Sequence, residues 1–288
     1  MPRPPVDVVS PFAGSDQELA ETIGRLEALR RRDEDRLVVA DNRPGARDRR
    51  PGRTEFVAAT GERAPGFARN RGAAAGSGEW LVFLDADVAP DEDLLDRYFD
   101  PPPGARTAVL AGGLRNAALA TGAPAAARYA AAHGFLDARH TLDLGRWAFA
   151  QTANCAIRRA AFVEAGGFHE GIRAGEDADL CWRLAAAGWA LEPREAAAAV
   201  HLPRSTVRDL LVQMAVHGAA ATWLERSWPG STPARSRPGL AVHGARRVAR
   251  GVAALARGDR DTAALELLDA AVLVAYETGR LRPNRPRG

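Results

Sequence analysis

The first two-thirds of the chain alternate short apolar runs with stretches of helical periodicity. The apolar runs predict strands at Val6–Ser10, Arg36–Ala40, Glu55–Ala58, Glu79–Leu84, Ala108–Gly112 and Ala196–Val200. Between the first two, apolar residues spaced for one buried face (Leu19, Ile23, Leu26 and Leu29) predict a helix that Asp16 can cap. This alternation predicts an α/β protein whose mostly parallel sheet is flanked by helices.

The segment Trp80–Leu84 is apolar at every position, as expected of a central strand buried on both faces. Ligands of open α/β sheets gather beyond the carboxyl ends of such strands, and here Asp85 and Asp87 follow directly. Carboxylates at i and i+2 project to one side and suit a divalent cation shared with phosphate oxygens. The alternative is a turn before Pro90 with two surface acids.

A second acidic cluster, Glu176, Asp177 and Asp179, lies at the start of a predicted helix that Gly188 ends. Acids at a helix start interact favourably with its dipole, so simple capping explains the pattern. The functional alternative is that Asp177 is a general base held at a rigid helix start.

The C-terminal region has turn and linker composition at Ser227–Gly239, between two helical patterns at Val207–Arg226 and Val242–Thr278. The second pattern joins an arginine-rich stretch to the apolar run Ala270–Ala275. We predict an α/β domain over residues 1–205 and a helical extension over 206–288. The extension contacts an anionic membrane as a peripheral element, forms a homodimer or is a solvated helix pair.

Composition narrows the class of protein. The 39 basic residues, all arginine, are balanced by 36 acidic ones, and few aromatic residues are available for base stacking, so no nucleic-acid partner is indicated. The two cysteines, Cys155 and Cys181, lack metal-site or disulfide spacing. No apolar stretch reaches the roughly 20 residues of a membrane span, and the N-terminus lacks the apolar core of a signal peptide. These features predict a cytoplasmic protein. If the helical extension contacts a membrane, the protein is peripheral on its inner face.

Several segments together resemble the family 2 glycosyltransferases with the GT-A fold. They are VVSPF, VVADN, ARNRGAAAGSGEWLVFLDAD, ANCAIRRAAFVEAGGFHEG and GEDADLCWRLAAAGW, in the family's order over residues 5–205. The conjunction is far more specific than any one motif.

The resemblance implies that residues 1–205 form a catalytic domain. It implies an inverting transfer of a sugar from a nucleotide diphosphate donor to an acceptor hydroxyl. It implies Asp177 as the catalytic base and Asp85 and Asp87 as the site of Mn²⁺ or Mg²⁺, with Asp87 the more direct ligand. UDP is the family's commonest donor nucleotide. The implied nucleotide-binding residues are Pro11, Phe12, Asp41, Arg69, Asn70 and Asp85, and the implied sugar and acceptor cleft contains Asn154, Gly167, Phe168 and Glu176.

Three alternatives stay open within this interpretation. Asp41 and Asn42 before Pro44 also form a turn pair. His201, with Arg204 nearby, is a metal or diphosphate contact or a hydrogen-bonded histidine at a strand end. A binding module without turnover keeps the same fold.

Two observations restrict the reaction. A sugar-phosphate nucleotidyltransferase is disfavoured, because the segment after the first strand has one glycine and no basic residue before Arg25. The family's processive members carry a Q-x-x-R-W type motif, which is absent from this sequence, so the resemblance implies addition of a single sugar.

Overall fold

The computed structural model describes residues 3–135, 137–202 and 206–286, with the side chain of Arg237 excepted. One sheet of eight strands dominates it. The strands are β1 (Val6–Phe12), β2 (Arg36–Asp41), β3 (Thr54–Ala58), β4 (Trp80–Leu84), β5 (Val88–Pro90), β6 (Thr107–Asn116), β7 (Asn154–Arg158) and β8 (Ala190–His201).

The strand order is β3-β2-β1-β4-β7-β6-β8-β5. The first four strands are parallel to one another, β7 runs antiparallel between β4 and β6, and β6 and β8 are parallel. The short β5 is antiparallel to β8. The predicted mostly parallel α/β sheet is confirmed, with β4 at its centre and every residue of β4 buried.

The structure adds two strands that the sequence pattern did not predict, β5 and β7, and lengthens others. β1 continues to Phe12, and β8 begins at Ala190 rather than at Ala196. The start of β8 is half-exposed and polar, so this part of the strand has no apolar run that would predict it.

The helices packed with this sheet are α1 (Asp16–Glu27), α2 (Pro65–Ala74), α3 (Leu94–Arg97), α5 (Ala138–Leu142), α6 (Arg159–Glu164) and α7 (Glu176–Ala186), with α4 described below. Ser15, not Asp16, caps α1, through a capping box with Glu18. In α2, a Cβ on Gly72 would lie 2.5 Å from Cγ1 of Val9, so glycine permits the close packing of α2 on β1.

The chain divides into two compact units. The first contains the described residues within 1–117, 136–202 and 285–288, and the second those within 118–135 and 203–284. The predicted division at residue 205 falls in the segment 203–205, outside the described residues, as does Arg204. That prediction assigned residues 118–135 to the catalytic domain, whereas the contacts group them with the C-terminal helices.

The second unit is helical, with α4 (Ala125–Ala132), α8 (Val207–Ser227), α9 (Arg237–Ala256) and α10 (Arg260–Arg280). The single pattern predicted over 242–278 is therefore two helices, separated at Gly258, which has a φ of 79°. Leu210 and Met214 of α8 are buried against Ala126 and Tyr129 of α4 and Leu268 of α10. Helices α4 and α10 therefore cover Leu210 and Met214 on the apolar face of α8.

None of the helices in the described ranges combines the length and the apolar composition that crossing a lipid bilayer requires.

Candidate active site

Strand β4 delivers two carboxylates to one edge of the sheet. Asp85 follows Leu84, the last residue of β4, and Asp87 precedes β5. The chain turns here, because the N–H of Val88 donates to the carbonyl of Asp85 at 3.3 Å. The turn leaves both carboxylates accessible, with 31% of the Asp85 side chain and 43% of the Asp87 side chain exposed. The turn and the accessible carboxylates, posed as alternatives from sequence, therefore coexist.

The pairing of β5 with β8 brings His201 to Asp87. Val88 is in register with His201, and the N–H of Leu202 donates to the carbonyl of Asp87 at 2.9 Å. Nε2 of His201 lies 3.5 Å from Oδ2 of Asp87. Nδ1 of His201 is buried without a hydrogen-bond partner in the described part of the chain. A carboxylate oxygen and an imidazole nitrogen thus face one another at the sheet edge.

This pair fits a divalent cation that is also held by a substrate. Among the described residues, no group of three or more His, Cys, Asp or Glu side chains is arranged to hold a metal by itself. Mg²⁺ and related cations are commonly bound by one or two protein ligands and complete their coordination with substrate phosphates and water. Two ligands about 2.1 Å from one octahedral ion are about 3.0 Å apart, which a small side-chain adjustment of Asp87 and His201 would reach.

Asp85 belongs to a different set of contacts, centred on Arg69 of α2. The guanidinium is buried, and it donates to Oδ1 of Asp85 at 2.5 Å and to Oε1 of Glu176 at 2.7 Å. Burial opposes its charge, but the carboxylates of Asp85 and Glu176 raise the pKa of Arg69 above its usual value. Arg69 therefore joins the end of β4 to the start of α7. Its predicted contact with the nucleotide would have to compete with these two ion pairs.

Helix α7 begins with Glu176 and Asp177 after Gly175, whose φ is 88° and which makes no side-chain cap. Burial raises the pKa of the Glu176 carboxyl, and the nearby Arg69 charge opposes this. Burial, reinforced by the negative charge of Glu176, raises the pKa of Asp177 to about 7. Helix capping alone would lower the pKa of an acid. Asp177 thus has the property that a general base needs, a pKa close to neutral pH.

The end of β2 forms a second polar group of residues. Asp41 is 1% exposed, and its two oxygens accept from Nε and Nη2 of Arg43 at 2.9 and 2.8 Å. The Arg43 guanidinium also lies 5.2 Å from the ring centroid of Phe12 and donates to Asp16 at 2.6 Å. Although burial acts in the opposite sense, the hydrogen bonds from Arg43 hold the pKa of Asp41 below its usual value. Pro11 and Phe12 end the neighbouring strand β1, so the structure brings together the predicted residues of this group.

Arg43 is a member of this group that the sequence interpretation missed. The only signal was an arginine two residues beyond an acid at a strand end, which in an arginine-rich chain selects nothing. Because Arg43 donates to both oxygens of Asp41, a ligand of that carboxylate would share its oxygens with Arg43.

The side chain of Asn70 in α2 contacts the turn formed by Gly167 and Phe168 before α7. The side chain of Asn70 donates to the carbonyl of Phe168 and accepts from its N–H, both at 2.9 Å. A Cβ on Gly167, which has a φ of 73°, would lie 2.8 Å from Oδ1 of Asn70. Phe168 is 2% exposed and packs edge-on against Phe83 of β4. The Arg69 guanidinium carbon lies 5.7 Å from the ring centroid of Phe168, so this buried ring packs against the residue that joins β4 to α7.

Asn154 takes a structural position within the sheet, although the sequence placed it in the cleft. It is 1% exposed, its Oδ1 accepts from the hydroxyl of Tyr98 at 2.6 Å, and its Nδ2 donates to the carbonyls of Gly113 and Ala197. Both amide hydrogens and the amide oxygen of Asn154 are therefore engaged inside the protein. Cys155 beside it and Cys181 in α7 are also buried, and burial raises the pKa of the Cys181 thiol to about 12.

The sheet order, with antiparallel β7 inserted after four parallel strands, and the acidic edge beyond β4 define a GT-A type α/β protein with a carboxylate-rich site. The solved mannosyltransferase PcManGT from Pyrobaculum calidifontis, described in complex with GDP-Man and Mn²⁺, shares this fold. It superposes with a TM-score of 0.64 over 97% of this chain and 87% of that chain, at 17% sequence identity. The predicted GT-A fold is thereby confirmed.

Residues 4–216 match the family described as glycosyltransferase like family 2, and the chain belongs to that family. It is also 35% identical, over 176 residues, to the pre-mycofactocin glycosyltransferases of two Mycobacterium tuberculosis strains, CDC 1551 / Oshkosh and ATCC 25618 / H37Rv. The match covers 58% of this chain but only 36% of the length of those relatives.

Proposed function

We propose that this protein is an inverting, metal-dependent glycosyltransferase that moves one sugar from a nucleotide diphosphate donor to an acceptor hydroxyl. The observation that carries the proposal is the pair of ion contacts made by Arg69. They hold the carboxylate beyond β4 and the acidic start of α7 at one place, although these lie far apart in sequence. Family membership supports the class of reaction.

Asp177 would act as the base. Its carboxylate accepts the proton of the acceptor hydroxyl while the hydroxyl oxygen forms a bond to the anomeric carbon of the sugar. The bond between that carbon and the diphosphate oxygen breaks, and the nucleoside diphosphate leaves with the electron pair. One displacement inverts the anomeric centre. The pKa of about 7 supports this role, because a substantial fraction of Asp177 is ionised at neutral pH and still basic.

Asp87 and His201 would hold the divalent cation, which we propose to be Mn²⁺ or Mg²⁺. When bound, the cation would neutralise charge on the diphosphate leaving group. The imidazole of His201 favours Mn²⁺ over Mg²⁺, because Mg²⁺ prefers oxygen ligands. The Pyrobaculum neighbour, described in complex with Mn²⁺, supports this order of preference.

Phe12, Asp41 and Arg43 would recognise the nucleotide. Arg43 has N–H donors left after pairing with Asp41 and Asp16, and these suit carbonyl oxygens of a base. We propose UDP as the donor nucleotide, following the family's commonest use. GDP is the necessary comparison, since the Pyrobaculum neighbour is described with GDP-Man.

We also propose that the protein is cytoplasmic and works at the inner face of a membrane, as a peripheral protein. The C-terminal helical unit supplies the surface for this contact, and the acceptor would be a hydroxyl compound available there.

The test is calorimetric titration of UDP and GDP with Mn²⁺, with Mg²⁺ and with EDTA, followed by donor turnover assays with the sugar nucleotides that bind. We expect metal-dependent binding of one nucleotide and slow donor hydrolysis without acceptor. Metal-dependent binding with no turnover of any donor, in the presence of a panel of hydroxyl acceptors, would instead indicate a binding module. Tight binding that persists unchanged in EDTA would remove the metal from the proposal.

A further inference from the structure

Helix α9 presents an exposed apolar face. Val242, Val248, Val252 and Leu255 are 49%, 45%, 56% and 51% exposed. At about 100° per residue these four side chains fall within an arc of about 140°, which the exposed alanines between them make continuous. Isolated exposed valines are common, but a continuous apolar stripe along a 20-residue helix is a surface that an apolar environment would cover.

The other side of α9 is already packed. Gly251 and Ala254 are buried, and a Cβ on Gly251 would lie 2.8 Å from Cγ of Leu267 in α10. Arg247 on the same side donates to Glu266 at 3.0 Å and pairs with Asp269 at 2.8 Å. The exposed stripe therefore cannot be the face through which α9 joins its own unit.

A row of arginines borders the stripe. Arg246, Arg250 and Arg257 are exposed, and on the helical wheel they lie about 40 to 80° beyond Val242. Within the described residues, neither Arg246 nor Arg250 takes part in an ion pair. The sequence of α9 contains four arginines and no acidic residue, although the whole chain balances 39 basic against 36 acidic residues. The positive charge on this helix is thus concentrated, with Arg247 paired to α10 and with Arg246 and Arg250 outside any ion pair of the described residues.

We infer that the outer face of α9 binds the surface of an anionic lipid bilayer, which rests on the peripheral location in the proposed function and assigns it to one helix face. The valine and leucine side chains would enter the boundary between headgroups and acyl chains, and the arginine row would contact the anionic headgroups. A second copy of the chain is a poorer partner. A two-fold contact would place this face against itself, and the two rows of arginines would meet without any acid on α9 to pair with them.

The experiment is co-sedimentation of the full chain with vesicles of phosphatidylcholine alone and of phosphatidylcholine with phosphatidylglycerol. We expect sedimentation with the anionic vesicles only, decreasing as salt is raised. The triple variant Arg246→Gln, Arg250→Gln and Arg257→Gln should lower the partition coefficient about 100-fold. The triple variant Val248→Ser, Val252→Ser and Leu255→Ser should lower it at least about tenfold, because less apolar area enters the bilayer.

Matched controls change the same residue types elsewhere on the surface. One is Arg47→Gln, Arg50→Gln and Arg53→Gln, and the other is Leu144→Ser, Val163→Ser and Leu281→Ser, three residues that are 50%, 67% and 85% exposed. Both controls should bind anionic vesicles like the wild type, and thermal melts should show every variant folded.

The proposal is overturned if the wild type stays in the supernatant with anionic vesicles or binds neutral vesicles equally well. It is also overturned if the α9 variants lose no more binding than the controls. Light scattering measures the mass of the wild type and of the serine variant. A dimeric wild type and a monomeric serine variant would assign the face to self-association and overturn the proposal.

Discussion

Replacement of Asp177 by asparagine should have opposite effects on activity and on stability. An amide of the same shape cannot accept the proton of the acceptor hydroxyl. We therefore expect kcat to fall by about 10²- to 10⁴-fold while the affinity for the donor nucleotide is kept. The same replacement should make the fold more stable at pH 8, because it removes a charge that the native structure disfavours.

The size of the stabilisation follows from the pKa of Asp177, which is about 7 in the folded protein against an ordinary value of 3.8. Each pKa unit corresponds to about 1.4 kcal/mol, which sets a ceiling of about 4 kcal/mol. The side chain is partly exposed, and solvent screening reduces this to an effect on the order of 1 to 2 kcal/mol.

The sign depends on pH in a defined way. Between about pH 4 and pH 7 the folded protein keeps a proton on Asp177 that the unfolded chain releases, so the wild type loses stability as pH rises through this window. Above pH 7 the loss is complete and constant. The difference in the free energy of unfolding, variant minus wild type, should be near zero at pH 4 and reach its full positive value by pH 8.

Urea denaturation at pH 4.5, 6 and 8 in EDTA measures this difference, and donor turnover measures the loss of activity. The matched control is Asp179→Asn, which removes a carboxylate from the same helix whose Oδ2 accepts from Arg183 at 2.8 Å. This control should destabilise the protein at pH 8. The reasoning is refuted if Asp177→Asn is the less stable protein at pH 8, or if its turnover is near normal.

Three other substitutions test the rest of the site. Asp87→Ala should abolish metal-dependent nucleotide binding in calorimetry with little change in stability, since 43% of the Asp87 side chain is exposed; unchanged affinity would contradict the metal assignment. Arg69→Met should destabilise the fold by about 3 to 5 kcal/mol at pH 8 in urea titrations, because it leaves the Glu176 carboxylate without its ion-pair partner. The loss should be smaller at pH 5, where the Glu176 carboxyl can protonate. Equal losses of stability at both pH values would show that the charge of Glu176 is unimportant. Arg43→Gln should raise KM for the donor about tenfold with kcat nearly unchanged, whereas a change confined to kcat would place Arg43 outside the nucleotide site.

The sequence predicted the parts of the fold that depend on local pattern. Apolar runs located six strands, although the predicted start of β8 was six residues late. The fully apolar Trp80–Leu84 identified the central strand, because burial on both faces leaves no polar position. The strands β5 and β7 were not predicted, and the three residues of β5 are too few to carry a periodicity. The antiparallel direction of β7 is set by its partner strands rather than by local sequence.

The candidate site divides in the same way. Asp85 and Asp177 could be named because a strand end and a helix start are visible in the sequence, and the resemblance supplied their roles. The bond between Arg69 and Glu176, the occupation of Asp41 by Arg43 and the burial of Asn154 could not be predicted, because each depends on side chains that only tertiary structure brings together.

The two buried thiols give this protein a built-in chemical reporter. Cys155 lies in β7, paired with β4, and Cys181 lies in α7, directly behind the acidic start of that helix. Because burial raises the pKa of both thiols, neither is a thiolate nucleophile in the folded protein. A disulfide exchange reagent should therefore modify them only when the sheet centre or α7 opens. The rate of labelling then measures how often the catalytic edge comes apart, and a bound donor would slow that rate without any engineered probe.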